Sequence, residues 1–362
     1  MGTLVVFDGL GGLESSTLDR LQLLWARPEN AVFFQMVCTE LDAVERHLAL
    51  HPDHPLRPPN GQDLTRWMTG RGLGDLVARG TIASGMLIHV YQACLLQPRP
   101  GTDTQTPPVG AIGHSLGVLG SVLAATTSRK NDAYLKLAAV TLRLLAITLV
   151  RCHEAELPPG PDVELVARYR QAVRRGPAPG PMAAISGMRR GELDDHLRGT
   201  APSVVIGLTN TPTSHVLSGA PVDLLTVFTS LQSKLRRTGW SFLPSAVPFH
   251  SPLMSPTISV IQESRRFIGD LLPPSNLAFP VYAADRPRDL RDSGDLINEF
   301  LDLSLSRPVD WPATLAEVLC RSSIDHVLDY GPGAGARRFT KECLRDSPAP
   351  VRFGSARPDP SP

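Results

Sequence analysis

The sequence predicts an α/β fold: a layered domain with a mostly parallel sheet, and a smaller unit inserted into it. Three observations predict it. Short apolar runs alternate with helical stretches through the first 155 residues. Residues 109–125 read as a strand, a sharp glycine-rich turn and a helix. Between two Pro/Gly-rich segments, a compact run has the order βαββαβ.

Residues 4–7, Leu-Val-Val-Phe, form a first buried strand and are too short for a signal-peptide core. Helical patterns follow at 18–25 and 31–48, a Pro-rich loop at 51–61, helical stretches at 64–69 and 82–96, and a second loop at 97–108. The apolar segment 133–150 raises the question of a membrane span. Lys136 and Arg143 interrupt it at helical spacing and Arg151 ends it, so a buried helix with one polar stripe is predicted, and no membrane partner. Pro/Gly clusters at 158–161 and 176–181 bracket a helix at 163–174. Strand 182–186, helix 190–197, strands 203–209 and 215–219, helix 221–238 and strand 240–247 then compose a ferredoxin-like unit. The expected organisation is a discontinuous, hydrolase-like large α/β subdomain at 1–180 and 246–351. A small subdomain occupies 181–245, and 352–362 is a Pro/Ser-rich tail or linker.

Composition narrows the class. At 42% apolar and 20% charged residues the chain reads as a globular protein, and a net charge of +1 gives no global field for nucleic acid. The five cysteines are widely spaced, with no CxxC or Cys/His spacing, so neither a disulfide framework nor a metal site is predicted. A cytoplasmic location is expected.

The segment Gly113-His114-Ser115-Leu116-Gly117 carries the chemistry. It has the form of a nucleophile elbow with Ser115 at the apex, where side chains at 113 and 117 would crowd the turn. The hydroxyl sits at a helix N-terminus, whose free N–H groups favour developing negative charge. The alternative is a Gly-rich connection whose serine caps the helix.

A serine hydroxyl needs a base. Among ten histidines, His47, His51, His54 and His153 read as solvated, and His114 is expected on the far side of the turn and bordering the pocket. His250 stands between Pro248 and Pro252, which fix the backbone around it. His326 is its rival.

The motifs at 113–117, 203–210, 216–221, 247–254 (Val-Pro-Phe-His-Ser-Pro-Leu-Met), 307–311 (Arg-Pro-Val-Asp-Trp) and 329–333 (Asp-Tyr-Gly-Pro-Gly) fall in one order. Together they resemble the acyltransferase family of fatty acid and polyketide synthases. The likeness runs from about residue 4 to residue 345, and leans toward acetyl-loading acyltransferases of type I fatty acid synthases and starter-unit acyl-carrier-protein transacylases. The resemblance implies a Ser115–His250 dyad, with His250 oriented by a backbone carbonyl from the region 304–307. The oxyanion would be held by the N–H groups of Leu116 and Leu10. It further implies acyl-CoA as donor, the phosphopantetheine thiol of an acyl carrier protein as acceptor, no bound cofactor, and other synthase domains as partners.

Two departures matter. Leu10 stands where the family has a glutamine. The arginine that family members use for the malonyl carboxylate is absent, its place falling near Ile147 or Thr148. An uncharged acyl group is therefore expected rather than malonyl. Phe249, Met254 and the helix after Arg143, with Arg143 itself, are candidates for the acyl pocket. Arg189, Arg190 and Arg236 are candidates for carrier docking, against a reading as solvated helix faces. Two other classes stay open. An α/β-hydrolase esterase would draw on Asp285 and His326, and a non-catalytic scaffold would keep the fold alone.

Overall fold

The computed structural model describes residues 2–356 apart from 13–14, 51–55, 73, 75, 77–79, 99–106, 127–130, 157–159, 161, 174–175, 233–238 and 348–349. The strands are β1 (Gly2–Phe7), β2 (Gly110–Gly113), β3 (Met182–Ser186), β4 (Val205–Thr211), β5 (Ser214–Ser218), β6 (Gly239–Phe242), β7 (Val281–Tyr282), β8 (Val309–Asp310), β9 (Ile324–Asp329) and β10 (Arg352–Ser355).

Five of them form the larger sheet, in the order β10-β9-β1-β2-β7 and parallel at every pairing. Leu4, Val6, Ala111, Ile112 and Val327 are buried completely, as an all-parallel sheet covered on both faces requires. Because β1, β2 and β9 run the same way, the turns after Phe7, Gly113 and Asp329 meet at one edge. This is the edge at which open α/β sheets hold their ligands.

Helix Val118–Ala124 packs on this sheet against β1 and β2, and helix Asn131–Glu154 packs against helices Ala31–Ala49 and Gly80–Leu95. Among the described residues it is the one helix long and apolar enough to cross a membrane, and 72% of its apolar window is buried inside the fold.

The second sheet runs β6-β3-β5-β4-β8. Its first four strands are antiparallel and come from the βαββαβ run. β8 joins β4 in parallel from far along the chain, with Leu208 opposite Val309. A separate apolar cluster built on Ile185, Leu193, Leu217, Phe228 and Phe242 lies under this sheet.

Three expectations need correction. Helix Val163–Ala172, placed by sequence with the large subdomain, inserts Tyr169 into the smaller core, edge-on to Phe228 and Phe242 at 5.1 Å. The strand expected at 240–247 ends at Phe242, because Pro244 cannot donate to the ladder. The segment expected to begin a tail forms β10, pairing Arg352–Ser355 with β9; only 357–362 of that tail lies outside the described residues.

Candidate active site

The elbow forms as its glycines require. A Cβ on Gly113 would lie 2.1 Å from the Val118 nitrogen, and one on Gly117 would lie 2.6 Å from the Phe7 carbonyl oxygen. The strand can therefore reverse into the helix only without those side chains. Ser115 pays for the sharp turn with a φ of 54°, a conformation that costs a non-glycine residue on the order of 1 kcal/mol or more. It opens a short 3-10 turn, Ser115–Gly117, that runs into helix Val118–Ala124.

His250 is likewise held in the left-handed region, at φ 59°. Main-chain bonds fix the segment on both sides. The Ser218 hydroxyl donates to the Phe249 carbonyl at 2.7 Å, and the Ser251 N–H donates to the Leu305 carbonyl at 3.0 Å. Gly207 on β4 leaves room behind it, since a Cβ there would meet the His250 Cβ at 3.2 Å.

The two side chains meet. Ser115 Oγ lies 2.8 Å from His250 Nε2, and His250 Nδ1 donates to the Arg307 carbonyl at 3.0 Å. A carbonyl can only accept, so Nδ1 carries the proton and Nε2 presents its lone pair to the serine hydroxyl. The carbonyl comes from the end of a π-helical turn, Asp302–Ser306, a wide turn frequent at functional sites. The Arg307 side chain anchors that turn through Asp302 at 2.6 Å, Asp285 at 3.3 Å and Glu299 at 3.4 Å. Burial lowers the His250 pKa to about 4, the bond to Arg307 opposing it, so the imidazole is neutral at pH 7.

Leu10 opens one 3-10 turn and Leu116 is the second residue of another, positions whose backbone N–H groups lack intrahelical acceptors. The residue before Leu10 lies hard against the elbow: a Cβ on Gly9 would fall 2.5 Å from the His114 carbonyl oxygen and 3.0 Å from the Ser115 Cβ. Gln92, which sequence reasoning missed, clamps this loop. Its amide donates to the Asp8 carbonyl at 2.9 Å and to the Gly331 carbonyl at 2.7 Å, joining two strand ends from opposite parts of the chain.

Ser115 and His250 open onto a cavity of about 340 Å³, lined by the loops at the large sheet's edge and by strands β3, β4 and β5, and including Leu10, His114, Met182, Leu208 and Phe249. His114 donates from Nε2 to Asn210 Oδ1 at 2.8 Å and lies 5.5 Å from both Trp311 and Phe339. Burial lowers its pKa. Asn210 and His215 were also missed; both line the cavity from the small sheet.

Other candidates are placed elsewhere. Arg143 does not line the cavity: it pairs with Glu40 at 3.2 Å, donates to the Ile268 carbonyl and lies over Phe267. Its side of the helix faces those residues. Met254 is buried in the main core. Arg190 bonds Asp310 at 2.6 Å and so ties the small unit to the strand after Arg307. Arg189 is exposed, and Arg236 lies outside the described residues. The hydrolase alternative does not assemble, because Asp285 serves Arg307 while His326 Nδ1 lies 3.4 Å from the Thr3 hydroxyl on the sheet.

No family profile matches the chain. It is 28% identical over 275 residues to the fatty acid synthase subunit beta of Saccharomyces cerevisiae, a match that takes in 68% of this chain and 13% of that protein. The fatty acid synthase subunit beta of Gibberella zeae is also 28% identical, over 246 residues, with 64% and 11% covered. The chain thus spans about one eighth of the length of these relatives. Among solved structures it resembles the malonyl CoA-acyl carrier protein transacylase of Clostridium perfringens, at a TM-score of 0.68 and 14% identity over 98% of this chain and 93% of that one. It also resembles the acyltransferase domain from the second module of the salinomycin polyketide synthase, at 0.63 and 18% over 98% and 68%. Sequence similarity to one stretch of the fatty acid synthase beta subunits and structural likeness to these enzymes together place the chain with the acyltransferase fold.

Proposed function

We propose that the protein transfers an uncharged acyl group from a thioester donor to the thiol of an acyl carrier protein, through an acyl-Ser115 intermediate. The observation that carries this reading is the buried contact of Ser115 Oγ with a neutral His250 whose other nitrogen is committed to Arg307.

The steps follow from that geometry. His250 Nε2 takes the hydroxyl proton as Ser115 Oγ attacks the thioester carbonyl. The resulting oxyanion is held by the N–H groups of Leu10 and Leu116. Collapse breaks the C–S bond, and the proton on Nε2 passes to the departing thiolate, leaving an ester on Ser115. The carrier's thiol then enters, gives its proton to His250, attacks the ester and releases the serine hydroxyl, which regains the proton.

The preference for an uncharged acyl group rests on the cavity wall. Among the described residues the one cation lining it is Arg338, which is exposed at the mouth. Ile147 and Thr148 are buried and uncharged, Arg143 is engaged with Glu40, and Arg151 with Glu154 at 2.8 Å. Apolar side chains close the wall beyond Leu10: a Cβ on Gly85 would meet Leu149 at 2.8 Å and Leu10 at 3.0 Å. A malonyl carboxylate would enter this site without a buried partner, at a cost of several kcal/mol.

On the same reading the βαββαβ run is a ferredoxin-like subdomain that carries half of the cavity, and exposed Arg189 contributes to carrier docking. The protein works in fatty acid or polyketide assembly beside other synthase domains, in the cytoplasm and without a bound cofactor.

A competition assay tests the proposal. Equal concentrations of acetyl-, hexanoyl- and malonyl-CoA are offered with a holo carrier protein, and the loaded carriers are resolved by mass. Loading by acetyl or hexanoyl over malonyl supports it. Preferential malonyl loading overturns the acyl preference, and no loading from any donor overturns transfer.

A further inference from the structure

Helix Gly335–Cys343 leads outward from the catalytic cavity. Arg338, Lys341 and Arg345 follow one another at i, i+3 and i+7, which sets three cations on one face of the helix and its continuation. They line a second, open cleft of about 420 Å³, together with Leu344, Val351 and Phe353. Among the described residues, Arg338 is the one that lines both this cleft and the catalytic cavity.

The charges here differ from the arginines around them. Arg337, next in sequence, donates to the Ser355 hydroxyl and approaches Asp329 at 3.9 Å. Among the described residues, Arg338, Lys341 and Arg345 have no ion-pair partner; Arg338 lies over the ring of Phe339, 5.2 Å from its centre. Lys341 and Arg345 are exposed, and among the described residues Glu342 is the one acid lining the cleft. Three cations against one acid, beside a half-buried aromatic ring, suit a ligand that carries both phosphates and a flat base. The volume falls in the range of small-molecule sites.

We propose that this cleft seats the phosphorylated nucleotide end of the thioester donor, with Arg338 at the passage through which the pantetheine arm reaches Ser115. This inference rests on the acyl-transfer reading of the cavity. A phosphate at the far end of a pantetheine arm is shared by a nucleotide donor and a carrier protein. Phe353 and Val351 favour the nucleotide, since a base covers them and a phosphoserine does not.

The test uses adenosine 3′,5′-bisphosphate as probe, titrated calorimetrically into the whole protein and into a Lys341→Glu/Arg345→Glu variant. Binding weakens at least about tenfold in the variant and falls as salt rises. In parallel, the rate of Ser115 acylation by acetyl-CoA is divided by the rate with the N-acetylcysteamine thioester, which lacks the nucleotide. That ratio falls about tenfold in the variant. Lys341→Gln/Arg345→Gln repeats both measurements without charge reversal, and moves them in the same direction.

Equal nucleotide affinity in wild type and variant overturns the proposal. So does an unchanged ratio, or a loss confined to transfer onto holo carrier. A wild-type protein that no thioester acylates overturns the acyl-transfer reading instead, and the nucleotide titration then still decides the cleft.

Discussion

His250 donates from Nδ1 to the main-chain carbonyl of Arg307 at 3.0 Å, so the base that faces Ser115 is oriented by a peptide oxygen rather than a carboxylate. A peptide oxygen cannot stabilise an imidazolium as an anion does, so burial dominates and His250 stays neutral. On the proposed reading, His250 is a base that is ready over the whole neutral range.

Acyl-enzyme formation should therefore be flat between about pH 5.5 and 8 and fall only as pH approaches the His250 pKa of about 4. Stopped-flow acylation against pH measures this. His250→Ala should lower the acylation rate by about 10²–10⁴-fold while the protein keeps its fold by circular dichroism.

Stability should carry a matching signature. His89 and His250 have pKa values near 4 in the folded protein, against an ordinary value of 6.5. Between those limits the unfolded chain binds protons that the folded one refuses, so stability falls as pH drops from 6.5 toward 4. Thermal unfolding at pH 7.0 and 4.5 should show a lower midpoint at 4.5. Equal midpoints would mean that these imidazoles are not held neutral.

Arg307→Ala keeps the peptide carbonyl but removes the bonds to Asp302, Asp285 and Glu299 that hold its turn. Acylation should slow by up to about 10²-fold, the scale of a catalytic group misplaced by ~1 Å. Arg307→Lys should restore part of the rate. The pH midpoint should also move, which a purely structural loss would leave in place.

Gly9→Ala should damage the site more than its size suggests, because the new Cβ meets the His114 carbonyl oxygen at 2.5 Å. Activity should fall with the elbow's displacement, and stability by roughly 1–3 kcal/mol, the scale of overpacking. Thr148 offers the reverse case: its hydroxyl is buried without a hydrogen-bond partner among the described residues. Thr148→Val should stabilise by roughly 1 kcal/mol, measured by denaturant titration, since it removes an unsatisfied polar group of nearly the same shape.

What the sequence made legible was local. Gly113, Ser115 and Gly117 specify their own turn, and the flanking prolines mark a fixed backbone at His250, so those residues could be found without coordinates. Gln92 and Asn210 could not. Each acquires its role by bonding to a residue at least 84 positions away: Gln92 sits in no motif, and the motif 203–210 that ends at Asn210 does not show that its side chain meets His114. Arg143 was misplaced for a related reason: helical spacing shows that residues share a face, but only packing on Phe267 and Glu40 shows which way that face looks. The strand Arg352–Ser355 escaped because a four-residue edge strand depends on its partner β9 more than on its own apolar content.

The most direct test is the intact mass of the protein after exposure to acetyl-CoA, followed by addition of a holo carrier protein. One acetyl group should appear on the wild-type chain, mapped by peptide mass to Ser115, and pass to the carrier thiol. Ser115→Ala should show no adduct. An adduct on another residue, or one lost to water without ever reaching the carrier, would contradict the acyl-transfer reading.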